Sequence, residues 1–327
     1  MRIRVKRTME GKPLLLDYSL AEMREFVTAS GHPAYRADQI LEWLYRKQVA
    51  SWDELTNLPK AWRETLRESH ALTPFRSYSV RISTDQTRKY LFELHDGTRI
   101  ESVAIPMKQH YTLCLSTQVG CALRCGFCLT GKQGFRRNLS SGEILGQILT
   151  VQRDLRSEAR ISNLVLMGMG EPLLNYDHTV KAIRMMLAEH GCNFSNRKLT
   201  LSTAGILPGI TALGQEDFTI NLAVSLNAPT DELRTRLMPV NTLYPLAQLL
   251  EACRAYPLPE RRRITFEYVL LDGFNDTPGH ARTIASLLRG IRCKINLIPL
   301  NAPSQLPFRP SSEAAMLRFQ EILAKQG

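Results

Sequence analysis

The chain has 327 residues, 44% of them hydrophobic, with 42 Lys and Arg against 31 Asp and Glu and a formal charge of +11. That length suits two domains, or one large domain with an appendage, and the positive excess favours a polyanion, nucleic acid first, over an inert basic surface. No run of about 18 apolar residues is present to span a membrane, and the opening MRIRVKRTMEGK lacks the apolar centre of a secretory signal, so the expected protein is cytoplasmic with no membrane partner.

Residues 13 to 70 read as short helices. Ser19 and Glu22 form a capping box before LAEMREFVTAS, Gly31 stops that helix, and Ile40, Leu41 and Leu44 recur at helical spacing. Ser51 and Glu54 form a second capping box, and Pro59 opens a further helix, AWRETLRESH. Arg24, Arg36, Arg46, Lys47, Lys60, Arg63 and Arg67 are interleaved with Trp43, Trp52 and Trp62. The pattern alone serves equally an RNA-contacting face and solvated charges over an aromatic core.

From 76 to 105 the period changes to two. FRSYSVRI, RKYLFEL and TRIESVAI are strands, and His95-Asp96-Gly97 turns the last pair into a hairpin. The expected organisation is a helical module over 1–75, a hairpin bridge over 76–106 and an α/β domain over 107–327. Glu101 stands in an otherwise apolar run, where alternation alone could turn it to solvent.

Beyond Pro106, strands at 111–117, 161–167, 197–202, 218–226, 263–270 and 293–300 alternate with helices at 141–156, 177–190, 206–214, 244–255, 278–290 and 311–325. Ser140 and Glu143 cap the first of these helices. Six β-α units of parallel sheet are implied, closing into a partial (β/α)6 barrel with its ligand site outside the carboxyl ends of the strands.

The loop after the first strand holds Cys121-Ala-Leu-Arg-Cys125-Gly-Phe-Cys128. Three thiolates at spacings of three and two residues match an iron-sulfur cluster held by three cysteines, with one iron open to a small molecule. A structural zinc ion competes, but it wants four closed ligands, and His95 and His110 lie at no finger spacing. Packing thiols are the remaining alternative; three cysteines cannot pair internally as disulfides. At later strand ends stand Gly168-Met-Gly170-Glu171-Pro172, Ser202, Ser225-Leu226-Asn227 and Asn301. Glycines there expose backbone groups, Glu171 offers a carboxylate to an ammonium group, and small polar residues suit an adenosyl group. Taken alone, GMGEP is equally an ordinary turn.

These residues carry a resemblance. CxxxCxxC with Phe127 before the last cysteine resembles the signature of the radical SAM superfamily. The longer run Gln118 to Gly131 with Gly134 to Leu139, Glu101 to Pro106, GMGEP, Ser225 to Ala228, Phe266 to Gly273 and Ile295 to Pro299 is similar to the RlmN/Cfr group of RNA adenine methyltransferases. Tyr35 to Ile40 and Leu58 to Lys60 are similar to that group's accessory RNA-binding domain. The resemblance, closest to the RlmN branch, implies methylation of carbon 2 of an adenosine in 23S rRNA and in some tRNAs. It implies a 4Fe-4S cluster on Cys121, Cys125 and Cys128. S-adenosylmethionine is placed at Gly170, Glu171, Ser202, Ser225, Leu226, Asn227 and Asn301. The family commonly has histidine where Asn227 stands. Glu101 matches a proton acceptor, and Cys114 a second cysteine beside the active centre. An electron donor such as flavodoxin or ferredoxin, and a monomeric enzyme, are further implications. In the family a methyl-carrying cysteine lies beyond the last helix, whereas no cysteine here follows Cys293. The expectation is a truncated chain, which a reading frame ending at Gly327 would overturn; an RNA-binding homologue without methyl transfer is the alternative.

Overall fold

Helix starts follow the side chains that cap them. In the computed structural model, which describes residues 12–155, 159–301 and 306–326, Ser19–Glu22, Ser51–Glu54 and Ser140–Glu143 all form reciprocal capping boxes. The N-terminal stretch read for a targeting signal lies outside the described residues, except for Lys12. In chain order the elements are α1 (Leu20–Ala29), α2 (Tyr35–Leu41), α3 (Lys60–Ser69), β1 (Phe75–Ile82), β2 (Arg88–Leu94), β3 (Arg99–Pro106), β4 (His110–Cys114) and β5 (Gln118–Gly120). There follow α4 (Leu129–Gln133), β6 (Phe135–Asn138), α5 (Ser141–Asp154), β7 (Arg160–Leu166), α6 (Tyr176–Leu187), β8 (Leu199–Thr203), α7 (Leu207–Leu213), β9 (Asn221–Ser225) and α8 (Asp231–Leu237). The last are α9 (Leu246–Ala255), β10 (Ile264–Leu270), α10 (Pro278–Leu287), β11 (Cys293–Pro299) and α11 (Glu313–Gln326).

The chain divides into two compact units: Met1–Val119 with Arg137–Met169 and Asn175–Leu199, and Gly120–Arg136 with Gly170–Leu174 and Thr200–Gly327. In the first, β1, β2, β3 and β4 pair antiparallel in sequence order, and β4 pairs parallel with β7. The segment 76–106 thus pairs into this sheet through β1, β2 and β3. Ile100, Ala104 and Leu113 are fully buried, so β3 and β4 share one apolar face. Asp17 joins the helical module to α5: its Oδ1 accepts from Gly142 N at 2.7 Å and Ser141 Oγ at 3.1 Å, satisfying helix-start donors. A Cβ on Gly142 would stand 3.0 Å from Asp17 N, a tight contact to which the neighbouring backbone would have to give way.

Within the helical module most basic residues have partners. Arg24 pairs with Asp38 at 3.1 Å, Lys47 with Glu42 at 3.8 Å, and Arg67 with Asp53 at 2.7 Å and Glu64 at 3.3 Å. Arg36 donates to Asn57 O, Arg63 to Asp53 O, and Arg46 to Glu189 O at the end of α6. Lys60 is exposed and makes no such bond among the described residues.

In the second unit β8, β9, β10 and β11 run parallel in that order. Alternation splits this sheet into two faces. Leu201, Leu222, Val224, Phe266 and Tyr268 are fully buried, and the Tyr268 ring lies 5.3 Å from that of Phe319 on α11. The opposite face carries Thr200, Ser202, Asn221, Ser225, Thr265, Glu267, Lys294 and Asn296, by the same register. Helix α8, absent from the sequence expectation, starts at an N-cap hydroxyl, Thr230 Oγ1 accepting from Leu233 N, with Asp231 and Glu232 in its first turn.

Candidate functional site

The cysteine loop is closed at its neck and braced beneath. Cys121 N donates to Gly134 O at 3.1 Å, Cys128 N to Cys125 O at 3.1 Å, and Gly126 N to Leu237 O at the end of α8 at 2.8 Å. A Cβ on Gly131 would stand 3.1 Å from Cys125 N and 3.2 Å from Arg124 Cα, so any side chain there would press α4 tightly against the loop backbone. Arg124 takes the left-handed conformation, φ 52°, a strained choice for a non-glycine residue between two candidate ligands.

The three thiols are neighbours. Burial pushes Cys125 up to about 12, with Cys128 and Cys121 beside it adding to the rise. Cys121 is also raised, by burial first and then by Glu171 and Cys128. Groups so placed ionise only against strong positive charge, which a metal centre supplies by deprotonating its thiol ligands outright. Among the described residues no three His, Cys, Asp or Glu side chains converge closely enough for one metal ion. A cubane cluster has no such requirement, because each cysteine takes a different iron corner. The donor set thus fits a cluster better than the zinc ion that the spacing left open.

Arg234 on α8 underlies this loop, and the sequence reading missed it. It is fully buried, yet it donates to Ala204 O at 2.7 Å, Ser225 O at 3.1 Å, Leu226 O at 3.2 Å, Asn241 Oδ1 at 2.8 Å and Tyr244 O at 3.5 Å. Burial lowers it to about 10, and the neighbouring Cys125 and Asp231 hold it up. One guanidinium thus ties the ends of β8 and β9 together below the cysteines. The N-cap signal at Thr230 was the available clue to its helix.

Glu171 is buried, and its carboxylate accepts from Ala204 N at 2.7 Å and Leu173 N at 3.1 Å. Desolvation nevertheless raises it to about 7, against those two bonds and one from Thr203. It stitches the Gly170–Leu174 turn to the end of β8 and is a charge neighbour of Cys121 and Cys125. Gly170 bends at φ 101°, a region that favours glycine.

Ser225 faces Glu267 across β9 and β10, while Ser202 faces Ala223 one rung lower. Leu226 is buried and contributes its carbonyl to Arg234. Asn227 sits at φ 57°; its Oδ1 accepts from Val269 N at 2.9 Å and its Nδ2 points to Met238 Sδ at 3.2 Å. Asn275, also missed, donates to Asn227 O and Val269 O. The Asn227 side chain therefore fastens β9 to β10. Asn301 is exposed just past β11.

Glu101 and Cys114 lie in the first unit and share a sheet face. Val103 opposes Cys114, and Glu101 is two residues along from Val103, so Glu101 and Cys114 are diagonal neighbours about 7–8 Å apart. Lys89 Nζ lies 2.9 Å from Glu101 Oε1, and Met169 Sδ lies 3.4 Å from Glu101 N. Burial pushes the Cys114 thiol up to about 11.

Comparison with known proteins agrees with this architecture. Residues 115–282 match the model of the radical SAM superfamily, and residues 14–72 match that of the ribosomal RNA large subunit methyltransferase N-terminal domain. The dual-specificity RNA methyltransferase RlmN of Syntrophus aciditrophicus is 52% identical over 309 residues, covering 94% of this chain and 88% of that protein. The protein of the same name from Syntrophobacter fumaroxidans is 50% identical over 307 residues, covering 94% and 90%. Among solved structures, a radical SAM methyltransferase from Sphaerobacter thermophilus superposes with a TM-score of 0.93 at 44% identity, covering 96% of this chain and 93% of that one. The fold is the α/β radical SAM fold. The group for which the three thiols must be judged is a 4Fe-4S cluster working with S-adenosylmethionine. Helical module, cysteine loop and α/β sheet are all accounted for together: the chain belongs to the radical SAM superfamily and, within it, to the RlmN family.

Proposed function

We propose that the protein is an S-adenosylmethionine-dependent RNA methyltransferase that modifies carbon 2 of an adenosine in 23S rRNA and in tRNA. The observation that carries this reading is the braced three-thiol loop, in a chain about half identical to RlmN proteins along nearly its whole length. Cys121, Cys125 and Cys128 hold the cluster. When bound, cluster and cofactor supply the one-electron chemistry that carbon 2, which has no lone pair to act as a nucleophile, requires. Gly170, Glu171, Ser202, Ser225, Leu226, Asn227 and Asn301 surround the cofactor; Asn227 contributes its backbone and the position of β9 rather than its amide, which is engaged with Val269. Glu101 accepts the proton lost from carbon 2, with Lys89 holding its carboxylate in place, and Cys114 on the same face assists product release.

The substrate adenosine must leave its stack to be reached, so a looped or unpaired nucleotide is the expected target. Among the described residues no helix is long and apolar enough to cross a membrane. In this reading the enzyme works as a cytoplasmic monomer supplied with electrons by flavodoxin or ferredoxin.

Anaerobic reconstitution with iron and sulfide, followed by mass spectrometry of rRNA and tRNA nucleosides, tests the proposal. The expected product is 2-methyladenosine. Cys125→Ala should lose both the cluster's visible absorption and the product, while Cys253→Ala, a buried thiol on α9 outside the loop, should keep the absorption. A normal cluster with no methylated adenosine would overturn the enzymatic reading in favour of an RNA-binding homologue.

A further inference from the structure

On the polar face of the second unit's sheet, Ser225, Glu267 and Asn296 stand side by side on β9, β10 and β11. Strand spacing of about 4.7–4.9 Å makes them one continuous rung. Asn296 Nδ2 donates to Glu267 Oε2 at 2.7 Å. That contact fixes the amide's orientation, because the reverse assignment would set two acceptors against each other. The amide oxygen of Asn296 is thereby left to face outward. Glu267 is only 8% exposed, yet its Oε1 accepts no hydrogen bond among the described residues and is not sealed from solvent. Burial raises the Glu267 carboxyl, and the Asn296 bond and the charge of Lys294 counter it.

The rung therefore offers two acceptors, Glu267 Oε1 and Asn296 Oδ1, beside the Ser225 hydroxyl. A carboxylate at its centre repels phosphate and carboxylate groups, so it suits a neutral partner that presents two donors. A ribose 2′,3′-diol has that chemistry, and acidic side chains accept from ribose hydroxyls in other nucleotide sites. An internal RNA nucleotide lacks it, since its 3′ oxygen is esterified. A free nucleoside cofactor keeps both hydroxyls. The rung also lies where such a cofactor is read to sit: Ser225 O is held by Arg234, the charge neighbour of Cys125.

We propose that Glu267 and Asn296 grip the ribose diol of S-adenosylmethionine, with Ser225 alongside, and so select a ribonucleoside cofactor. This rests on the cofactor reading given above. The test is calorimetric binding of S-adenosylhomocysteine and its 2′-deoxy and 3′-deoxy analogues to the anaerobically reconstituted full chain, without turnover. Glu267→Gln and Asn296→Ala should each weaken S-adenosylhomocysteine on the order of tenfold, the size of one lost charged or strongly placed hydrogen bond. In the wild type at least one deoxy analogue should bind about tenfold more weakly, and in Glu267→Ala that penalty should largely vanish, the non-additivity of a direct contact. Asn296 is exposed, so its variant guards against a mere folding defect at Glu267. Full additivity between the variants and the deoxy analogues overturns the assignment while leaving the cofactor reading intact. A wild type that binds iron but no S-adenosylhomocysteine overturns both. Weakened RNA binding with unchanged S-adenosylhomocysteine affinity overturns the assignment by placing the rung against the substrate nucleotide.

Discussion

In the N-terminal helices Arg24 reaches Asp38, Lys47 reaches Glu42 and also lies 3.7 Å over the Trp43 ring, and Arg67 is held by Asp53 and Glu64. On the polar face of β8 to β11, by contrast, the Ser202, Ser225 and Thr265 hydroxyls and the outer oxygen of Glu267 make no hydrogen bond among the described residues. The first region looks like a binding surface by composition, but its charges are mostly committed to one another. The second reads by composition as ordinary strand, yet it keeps three hydroxyls and one carboxylate oxygen uncommitted. Binding capacity follows what side chains have left over after folding, which charge counting does not measure. Exposed ion pairs contribute little to stability and resist recruitment only weakly, whereas buried polar groups are placed at a cost that calls for a partner.

Two arginines sharpen the contrast most. Arg234 is fully buried with five acceptors from three segments of the second unit, and removing it leaves those acceptors dry. Arg234→Met should cost about 3–5 kcal/mol in chemical denaturation. Arg67→Met removes two exposed pairs, and the expected loss is about 1 kcal/mol or less. Equal losses would break the distinction between committed surface charge and structural buried charge.

Much of this was legible in the sequence, and the failures have physical reasons. Capping boxes announced α1 and α5 because donor and acceptor are local, and the cysteine spacing announced the loop because three thiols in eight residues serve no packing purpose. Arg234 escaped notice because arginine is seldom fully buried, and its burial arises only when the ends of β8 and β9 and the loop at Asn241 meet around it. Glu267 and Asn296 escaped because RITFEYVL and CKINLIPL announce themselves by their apolar alternates. Only the register shows that the polar alternates form a rung. Asn227 was legible as a strand-end residue, but its left-handed backbone turns the amide toward Val269, a long-range outcome.

In the helical module, His70 is a buried group that responds to pH. His70 accepts or donates to Tyr18 Oη at 3.2 Å and packs 4.7 Å from the Phe26 ring, and burial lowers it to about 4. A depressed histidine favours the folded state above its unfolded value of about 6.5, and that advantage is lost as pH falls toward 4. The full span is at most about 3 kcal/mol, because each tenfold change in proton affinity corresponds to about 1.4 kcal/mol. His70→Gln should therefore flatten the pH dependence of the urea midpoint between pH 6.5 and 4 relative to the wild type. An unchanged slope would show that acid sensitivity resides elsewhere.

The smallest effect tests the RNA side of the comparison directly. Lys60 begins α3, is exposed and has no ion-pair partner among the described residues, while Arg67, two turns along the same helix, is doubly paired. If uncommitted charge is what grips RNA, Lys60→Gln should lower the slope of log affinity against log salt by about 0.7–0.9, one phosphate contact. Arg67→Gln should leave that slope unchanged, because its charge is already neutralised by Asp53 and Glu64 before RNA arrives. A fall in slope at Arg67 equal to that at Lys60 would mean that RNA strips the carboxylates from their partners, and that internal pairing in the module is no guide to its binding surface.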